Sequence, residues 1–577
     1  MEKIDLEEHI YKPNHISIGL LSLLCTLVFL PSLYFDFFFL DDGFHVRDNP
    51  RIDLTWENFK WFWQKSDVPV VYNVWQLIGF IGQGEASAYR FANILLHLLN
   101  GIILFKVSYK LISKHGNFSK SVPFLISLIF LIHPLQVESV VWISSFRSTL
   151  AVFFMFLALE QYEKRLGLKN DILIILFYLA GILSKPIIGV LPLFLFVFDY
   201  FINKKPLKKI LLAPYILLPG VFLIGYFFVV LLPKSVLETQ LTLVQRLLVL
   251  VDSLYFYFLK SFFPLLLSGI YGKSLEQVIS SFSSNSFLLT LIGFTLVLLG
   301  LTFISVRKKD RFMILGLAIF IIFYIPTSGI FNFDYQIIST VADRYMYLPI
   351  IGVSLIGIDL WQILKEKEIG VMINKLLNSL GIAFVVAMIF TSCRQVGLWQ
   401  DEIKLLAPAG INNPDSYHVQ LALGSQLINR GEPQRALKHL KRAYNLKNDS
   451  FEAALFLVQA YSQTIQLKKA KELLDLYRVE SASFLPMIHS YLDGLDRAGK
   501  YQEAEDIATY YAQRYPYEFG ITSRLESIKS GAVHRSLYAL KKLLRSEEVK
   551  KNSNVEAILR KKIEEYEAQE KEILKRD

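Results

Sequence analysis

The sequence predicts an all-α protein, a polytopic helical membrane domain followed by an α-solenoid. Three observations carry this. The 577 residues are 53% hydrophobic, above the ~45–50% of soluble chains. Apolar runs near the thickness of a bilayer core recur through the first two thirds. Beyond about residue 412 they stop, and a regular spacing of alanines takes over.

Runs long enough to cross a membrane lie near 16–38, 88–112, 121–135, 137–160, 172–186, 187–202, 209–232, 285–305, 312–330, 344–361 and 374–392, about 11 spans. The first has no basic segment before it and no small-residue cleavage site after it, so it reads as a retained span. His133-Pro134 interrupts 121–160, and Lys185-Pro186 interrupts 172–202. Proline cannot continue a helix, so each stretch reads as a pair of spans, the first a hairpin. The loops 110–120, 164–169, 204–209, 307–311 and 365–375 are basic, which marks them as cytoplasmic. Asp41-Asp42 and the whole tail then lie on the opposite face. That requires 244–264, which carries Arg246, Asp252 and Lys260, to lie on or re-enter from the outer surface. The longest outer loop, 39–87, holds Trp56, Phe59, Trp61, Phe62 and Trp63 at helical spacing, which predicts a helix lying in the interface. Cys25 and Cys393 are the two cysteines and suggest neither a disulfide framework nor a metal site.

In the tail, Ala436, Ala470 and Ala504 recur every 34 residues. Leu427, Tyr461 and Leu495 share the period, as do Ala443, Tyr477 and Tyr511. Small residues at one position let paired helices pack closely, and this is the period of tetratricopeptide repeats. Three repeats are expected, with a degenerate fourth near 517–547 and a charged capping helix near 553–577. Gly431-Glu432-Pro433 and Ala498-Gly499-Lys500 mark turns. The expected domains are 1–398, in the membrane, and 399–577, the repeats. Such arrays offer a concave surface to a protein partner and carry no chemistry.

The candidate site is polar. Asp41 and Asp42 stand where an apolar helix leaves the bilayer, at the interface or lining a wet cavity, with a solvated helix end as the bland alternative. The topology brings His133, Glu138, Lys185, Asp343 and Arg344 to the same face. Arg147, about two turns into its span, demands a partner or an anion. Singly, each reads as a snorkelling interfacial charge. Together they favour a shared polar cavity, in which a carboxylate deprotonates a hydroxyl while cations hold a phosphate leaving group. His97, with Asn93 and Asn100 nearby, reads as an interhelical hydrogen-bonding residue. No metal-ligand spacing, phosphate-cradling glycine loop, Ser-His-Asp elbow or nucleic-acid pattern is present.

These segments carry a resemblance. Leu40-Asp41-Asp42 with Asn49-Pro50, Tyr89 to His97, His133-Pro134 with Glu138, Ser184-Lys185 and Ala342 to Pro349 follow in the order seen in the GT-C superfamily of membrane glycosyltransferases. Leu398 to Glu402, leading to Asn413-Pro414-Asp415-Ser416, extends the likeness. The chain most resembles the TMTC-like O-mannosyltransferases and their bacterial relatives with C-terminal tetratricopeptide repeats. The resemblance implies transfer of a sugar from a polyprenyl-phosphate donor to a hydroxyl of a protein or glycan, on the outer face of the membrane. It implies an acid of the first outer loop, Asp41 or Asp42, as general base. Arg344, Lys185 and Arg147 are the candidates for binding the phosphate, with His133, Glu138 and Asp343 also about the substrate. No cofactor is expected, since the lipid-linked sugar is a substrate, and a divalent metal is left open. The short repeat array favours a bacterial inner membrane with periplasmic repeats over an endoplasmic reticulum membrane. The chain departs from the family at Pro186, where an acid is common, and at Tyr72-Asn73-Val74-Trp75. Two alternatives stay open: a polysaccharide ligase or polymerase using lipid-linked donors, and a non-catalytic scaffold presenting the repeats.

Overall fold

The structure, a computed structural model, describes residues 12–38, 41–115, 121–164, 167–226, 241–308, 311–331, 333–366, 371–477, 484–515, 517–544 and 553–573. Outside them lie Leu40 of the acid motif and residues 116–120, 165–166, 309–310 and 367–370 of the basic loops. Residues 227–232 of the seventh apolar run, and 545–547 and 574–577 of the tail, also lie outside. All regular structure in the described residues is helical.

The chain divides into two compact units, Met1–Asn413 and Pro414–Asp577. The first begins with α1 (His15–Phe29), followed by the outer-loop helices α2 (Trp56–Lys65) and α3 (Pro69–Ile81). Then come α4 (Ala86–His115), α5 (Val122–Ile132), α6 (Val137–Val141), α7 (Phe146–Lys164) and α8 (Leu168–Ile182). A short stretch follows: α9 (Leu191–Val197), α10 (Leu207–Leu211) and α11 (Pro214–Tyr226). The unit closes with α12 (Leu243–Phe262), α13 (Leu275–Ser281), α14 (Asn285–Lys308), α15 (Arg311–Tyr324), α16 (Pro349–Glu366), α17 (Val371–Leu398) and α18 (Glu402–Asn412). The boundary falls after Asn413 rather than after Leu398 because α18 is tied back into this unit. Ser268 Oγ donates to Leu405 O at 3.0 Å, and Asn413 Nδ2 to Gly272 O at 2.7 Å.

The expected eleven spans are not found. Among the described residues, five helices are long and apolar enough to cross a membrane: His15–Tyr34, Ala86–Leu111, Ile143–Lys164, Asn285–Ser305 and Met372–Leu398. A sixth is reached if Val122–Ile132 and Pro134–Val141, bent by 53°, count as one. The other apolar runs break into short pieces, such as Pro186–Ile202 and Phe312–Thr327, below the ~20 residues a span needs. Proline is the usual breaker, because it fixes φ and donates no hydrogen bond. The expected hairpin at His133-Pro134 is instead a bend, and a second break follows at Trp142.

These breaks free carbonyls that polar side chains then satisfy. His97 Nε2 donates to Leu131 O at 3.2 Å and Ser392 Oγ to Ile132 O at 2.6 Å. Asn93 Nδ2 donates to Trp142 O at 3.1 Å. Asn100 Nδ2 donates to Thr149 O, within the first turn of α7, at 2.9 Å. His97 Nδ1 also bonds Tyr347 Oη at 2.9 Å, so it joins helices as expected. Helix α12 is not among the apolar spans, and its buried face is polar. Asp252 pairs with Lys273 at 2.6 Å, and Tyr257 Oη donates to Ala342 O at 2.7 Å. At the far end of α7, Tyr162 donates to the buried Asp199, which also accepts from Tyr215 (2.6 Å), Asn203 (2.7 Å) and Lys205 (2.6 Å).

The second unit stacks helix pairs: α19 (Tyr417–Asn429) with α20 (Pro433–Leu446), α21 (Phe451–Gln463) with α22 (Leu467–Leu476), and α23 (Leu485–Arg497) with α24 (Tyr501–Arg514). Two longer helices follow, α25 (Phe519–Leu544) and α26 (Ser553–Ile573). Ala436, Ala470 and Ala504 are all buried between paired helices. The turns repeat too. Glu432, Gln466 and Lys500 each donate a backbone N–H five residues back, to Leu427, Tyr461 and Leu495, at 2.8, 2.8 and 2.9 Å. The residue before each donor has positive φ: Gly431 at 75°, Ile465 at 59° and Gly499 at 73°. This is a helix stop that favours glycine, and the middle repeat fills it with a β-branched side chain. Ile465→Gly should therefore stabilise the tail by about 0.5–1 kcal/mol, read by urea unfolding of the segment from Pro414 onward. An unchanged or lower midpoint would contradict the strain.

Candidate functional site

The acid pair sits on a short helical turn that continues as a π-turn, Gly43–Arg47. Adjacent residues on a helix point in different directions, and here that separates the two carboxylates. Asp42 is buried. It accepts from Phe38 N at 3.0 Å, Ser144 N at 3.0 Å and Ser144 Oγ at 2.7 Å. Burial pushes its carboxyl above the ordinary range, against the pull of those donors and of Arg90. Both oxygens are engaged inside the protein, so Asp42 anchors the loop. Asp41 faces the other way. Its side chain is 51% exposed and lies 3.7 Å from Arg147 Nη2.

Ser144 joins the two halves of this arrangement. Its N–H and hydroxyl hold Asp42, while its carbonyl accepts from Arg147 Nε at 3.0 Å. It can do so because the chain breaks at Trp142 and restarts as a 3-10 turn, Ile143–Ser145, whose first N–H groups have no intrahelical partner. Lys185, on the break before Pro186, donates to Ser148 Oγ at 2.6 Å. Among the described residues it makes no ion-pair contact, although Arg147, Arg344, Glu138 and Asp41 all lie within electrostatic reach. Six of the eight expected site residues, Asp41, Asp42, Arg147, Lys185, Glu138 and Arg344, thus share one polar cluster.

Arg344 differs from the expectation of a free phosphate ligand. Glu138 binds it through both the backbone, at 2.8 Å, and the guanidinium. Tyr335, Tyr345 and Trp142 hold its guanidinium at 4.3, 5.0 and 5.2 Å from their ring centres. The pair is almost wholly buried and cancels its own charge. Asp343 is also buried and accepts from Tyr271 Oη at 2.7 Å. His133 has both ring nitrogens in use, Nε2 donating to Ser261 O at 2.9 Å and Nδ1 accepting from Leu135 N at 3.1 Å. Glu138, Asp343 and His133 therefore build the wall of the site. Asp41 and Arg147 carry its available charge, and burial with the Arg147 and Arg344 cations pushes the Lys185 ammonium well below the usual lysine range, so that a bound anion would favour its charged form. An anion suits that arrangement.

Ser144 was not singled out by sequence, nor were His45 and Tyr72, which the fold brings beside Asp41 and Arg147. For His45 the signal was its place four residues after Asp41, on the same side of one helical turn. A groove of about 1320 Å³ runs between α5, α16 and α17, from His133 and Ser261 past Leu128, Val353 and Val385 to Lys365. It reaches the cluster's side of the unit only at His133. No group of three His, Cys, Asp or Glu among the described residues could hold a metal ion.

A family model for the tetratricopeptide repeat matches residues 427–483. The tail is thus repeat-like by sequence as well as by fold, and arrays of this kind bind protein partners. Comparison with curated proteins and with solved structures finds no match for the chain.

Two outcomes follow from the wall residues. Arg344→Ala should destabilise the membrane unit by about 3–5 kcal/mol, because Glu138 is left buried and unpaired. A detergent melt that does not move would contradict this. Burial and the Glu138 carboxylate also push Asp343 well above the usual carboxylate range. The native form then holds this proton more tightly than the unfolded chain does. The group's stabilisation is present below the unfolded value of 3.8 and is lost as pH rises through the raised value. Asp343→Asn should flatten the fall in melting temperature as pH rises above the ordinary carboxylate range. Parallel curves for the two proteins would mean that Asp343 does not titrate there.

Proposed function

We propose that the chain is a membrane glycosyltransferase that moves a sugar from a polyprenyl-phosphate donor to a hydroxyl acceptor, with Asp41 as general base. The observation that carries this reading is the split of the acid pair. Asp42 is spent on structure, while Asp41 is exposed beside Arg147, with the amine of Lys185 in electrostatic reach. In the reaction, Asp41 takes the proton of the acceptor hydroxyl and the freed oxygen attacks the anomeric carbon. The bond from that carbon to the phosphate oxygen breaks, and the lipid phosphate leaves with added negative charge. Arg147 and Lys185 stabilise that charge as it grows. The apolar groove ending at His133 suits an isoprenoid chain, and its volume is ample for several isoprene units. Helix α2 exposes Trp56 and Trp63 and suits a flap lying in the headgroup layer. The repeat tail suits a protein acceptor or partner, and the bacterial inner membrane with a periplasmic tail remains our assignment of place.

The test is sugar transfer from a polyprenyl-phosphate donor by the purified protein in liposomes. Asp41→Asn should lower the rate by about 10²–10⁴-fold, the usual cost of losing a general base, with the melting temperature unchanged. A variant as fast as the wild type, or a wild type with no transfer from any such donor, would favour the scaffold reading.

A further inference from the structure

His45 sits on the π-turn, four residues beyond Asp41. Single π-turns of this kind often mark functional positions. Its ring is enclosed by aromatic groups: Phe44 at 5.1 Å, Tyr72 at 5.9 Å and Trp75 at 5.9 Å between ring centres. Its Nδ1 lies 2.7 Å from Tyr72 Oη. Tyr72 is buried, and its ring stacks on Phe62 of the interfacial helix α2 at 4.1 Å and 7°. Asp41 and Arg147 are both within electrostatic reach of the imidazole.

The tautomer follows from counting protons. Among the described residues, the Tyr72 hydroxyl makes no hydrogen bond except that to His45. A buried phenol proton with a single acceptor in reach is used on that acceptor. Nδ1 therefore accepts, and in the neutral ring the proton sits on Nε2. Burial and the Arg147 cation keep the ring neutral, pulling its pKa down to about 4. The Nε2–H makes no hydrogen bond to the described residues, and it belongs to the same cluster as Asp41 and Arg147.

We propose that His45 is a further ligand of the lipid phosphate, donating from Nε2 alongside Arg147, and that Tyr72 positions it by fixing the tautomer. The inference rests on the polyprenyl-phosphate reading above. It makes the imidazole a fixed donor rather than an acid or base. It also ties that donor, through Tyr72 and Phe62, to the helix that faces the headgroups.

The probe is undecaprenyl phosphate itself, and the readout is its Kd for purified protein in detergent, so that no turnover is needed. His45→Ala should weaken binding about 10- to 100-fold, the size of a lost hydrogen bond to a charged group. His45→Gln puts an amide N–H near the position of Nε2 and should weaken binding about tenfold less than the alanine. Tyr72→Phe keeps the stacked ring and frees the tautomer. It should weaken the wild type a few-fold and leave His45→Gln no weaker than before, because an amide has no tautomer to set. A structural role for Tyr72 would instead weaken both backgrounds equally. Three results would overturn the assignment: wild-type affinity in His45→Ala, a glutamine variant as weak as the alanine, or equal losses from Tyr72→Phe in both backgrounds. A wild type that binds no undecaprenyl phosphate would overturn the donor reading, whereas a wild type that binds while His45→Ala binds as well would overturn only this inference.

Discussion

The cluster depends on one hydrogen-bonded joint, that between Asp42 and Ser144. They are 102 residues apart, and the contact is buried. A carboxylate that accepts a backbone N–H and a hydroxyl from one residue fixes both distance and direction. Through it, the loop that carries Asp41 is held against the start of α7, which carries Arg147 and Ser148. Ser144 offers its N–H because the chain breaks at Trp142 and Ser144 stands in the first turn of the helical segment that follows, where N–H groups have no intrahelical partner. The helix break is therefore what makes the joint possible.

A break inside an apolar region has a cost that must be met locally. Where water is excluded, every freed backbone group needs a partner from the protein. The side chains that supply these partners, from His97, Asn93 and Ser392, come from α4 and α17. None of these polar residues is at the candidate reaction centre. They let the 132–146 segment take the irregular path that presents Glu138, Ser144 and Arg147 together. The polar residues of this unit fall into two sets, one that satisfies carbonyls and one that carries charge.

Much of this was legible in the sequence, and the remainder has identifiable causes. The 34-residue spacing was readable because Ala436, Ala470 and Ala504 stand where only small side chains fit. The turn between α21 and α22 was not, because Ile465 occupies the place glycine marks in the flanking repeats. Hydropathy overcounted the spans because it sees apolar content and not the breaks at Pro134, Trp142 and Pro186. The acid pair and the cations near it were visible as residue types on one face. The division between Asp41 and Asp42 was not, since it is decided by a serine far along the chain. Arg344 read as a free cation because the rings of Trp142, Tyr335 and Tyr345 reach it only through the fold. The charged residues that face inward could not be told from those that face the cavity without their partners.

Helix α7 has both ends tied. Arg147 and Ser148 at one end meet Asp41 and Lys185, and at the other Tyr162 meets Asp199 while Glu163 meets Lys110 at 3.4 Å. The two ties lie about 22 Å apart along the axis, at 1.5 Å per residue. A rod pinned at both ends cannot slip by a turn against its neighbours, as helices in switching proteins do. It serves as a fixed post. On the proposed reading, an opening that admits a substrate would belong to the lighter segment 41–81, which is joined to the post at Ser144 and exposes Trp56 and Trp63. The proposed base and such an opening would then share one piece of chain, so that closing the one would set the other.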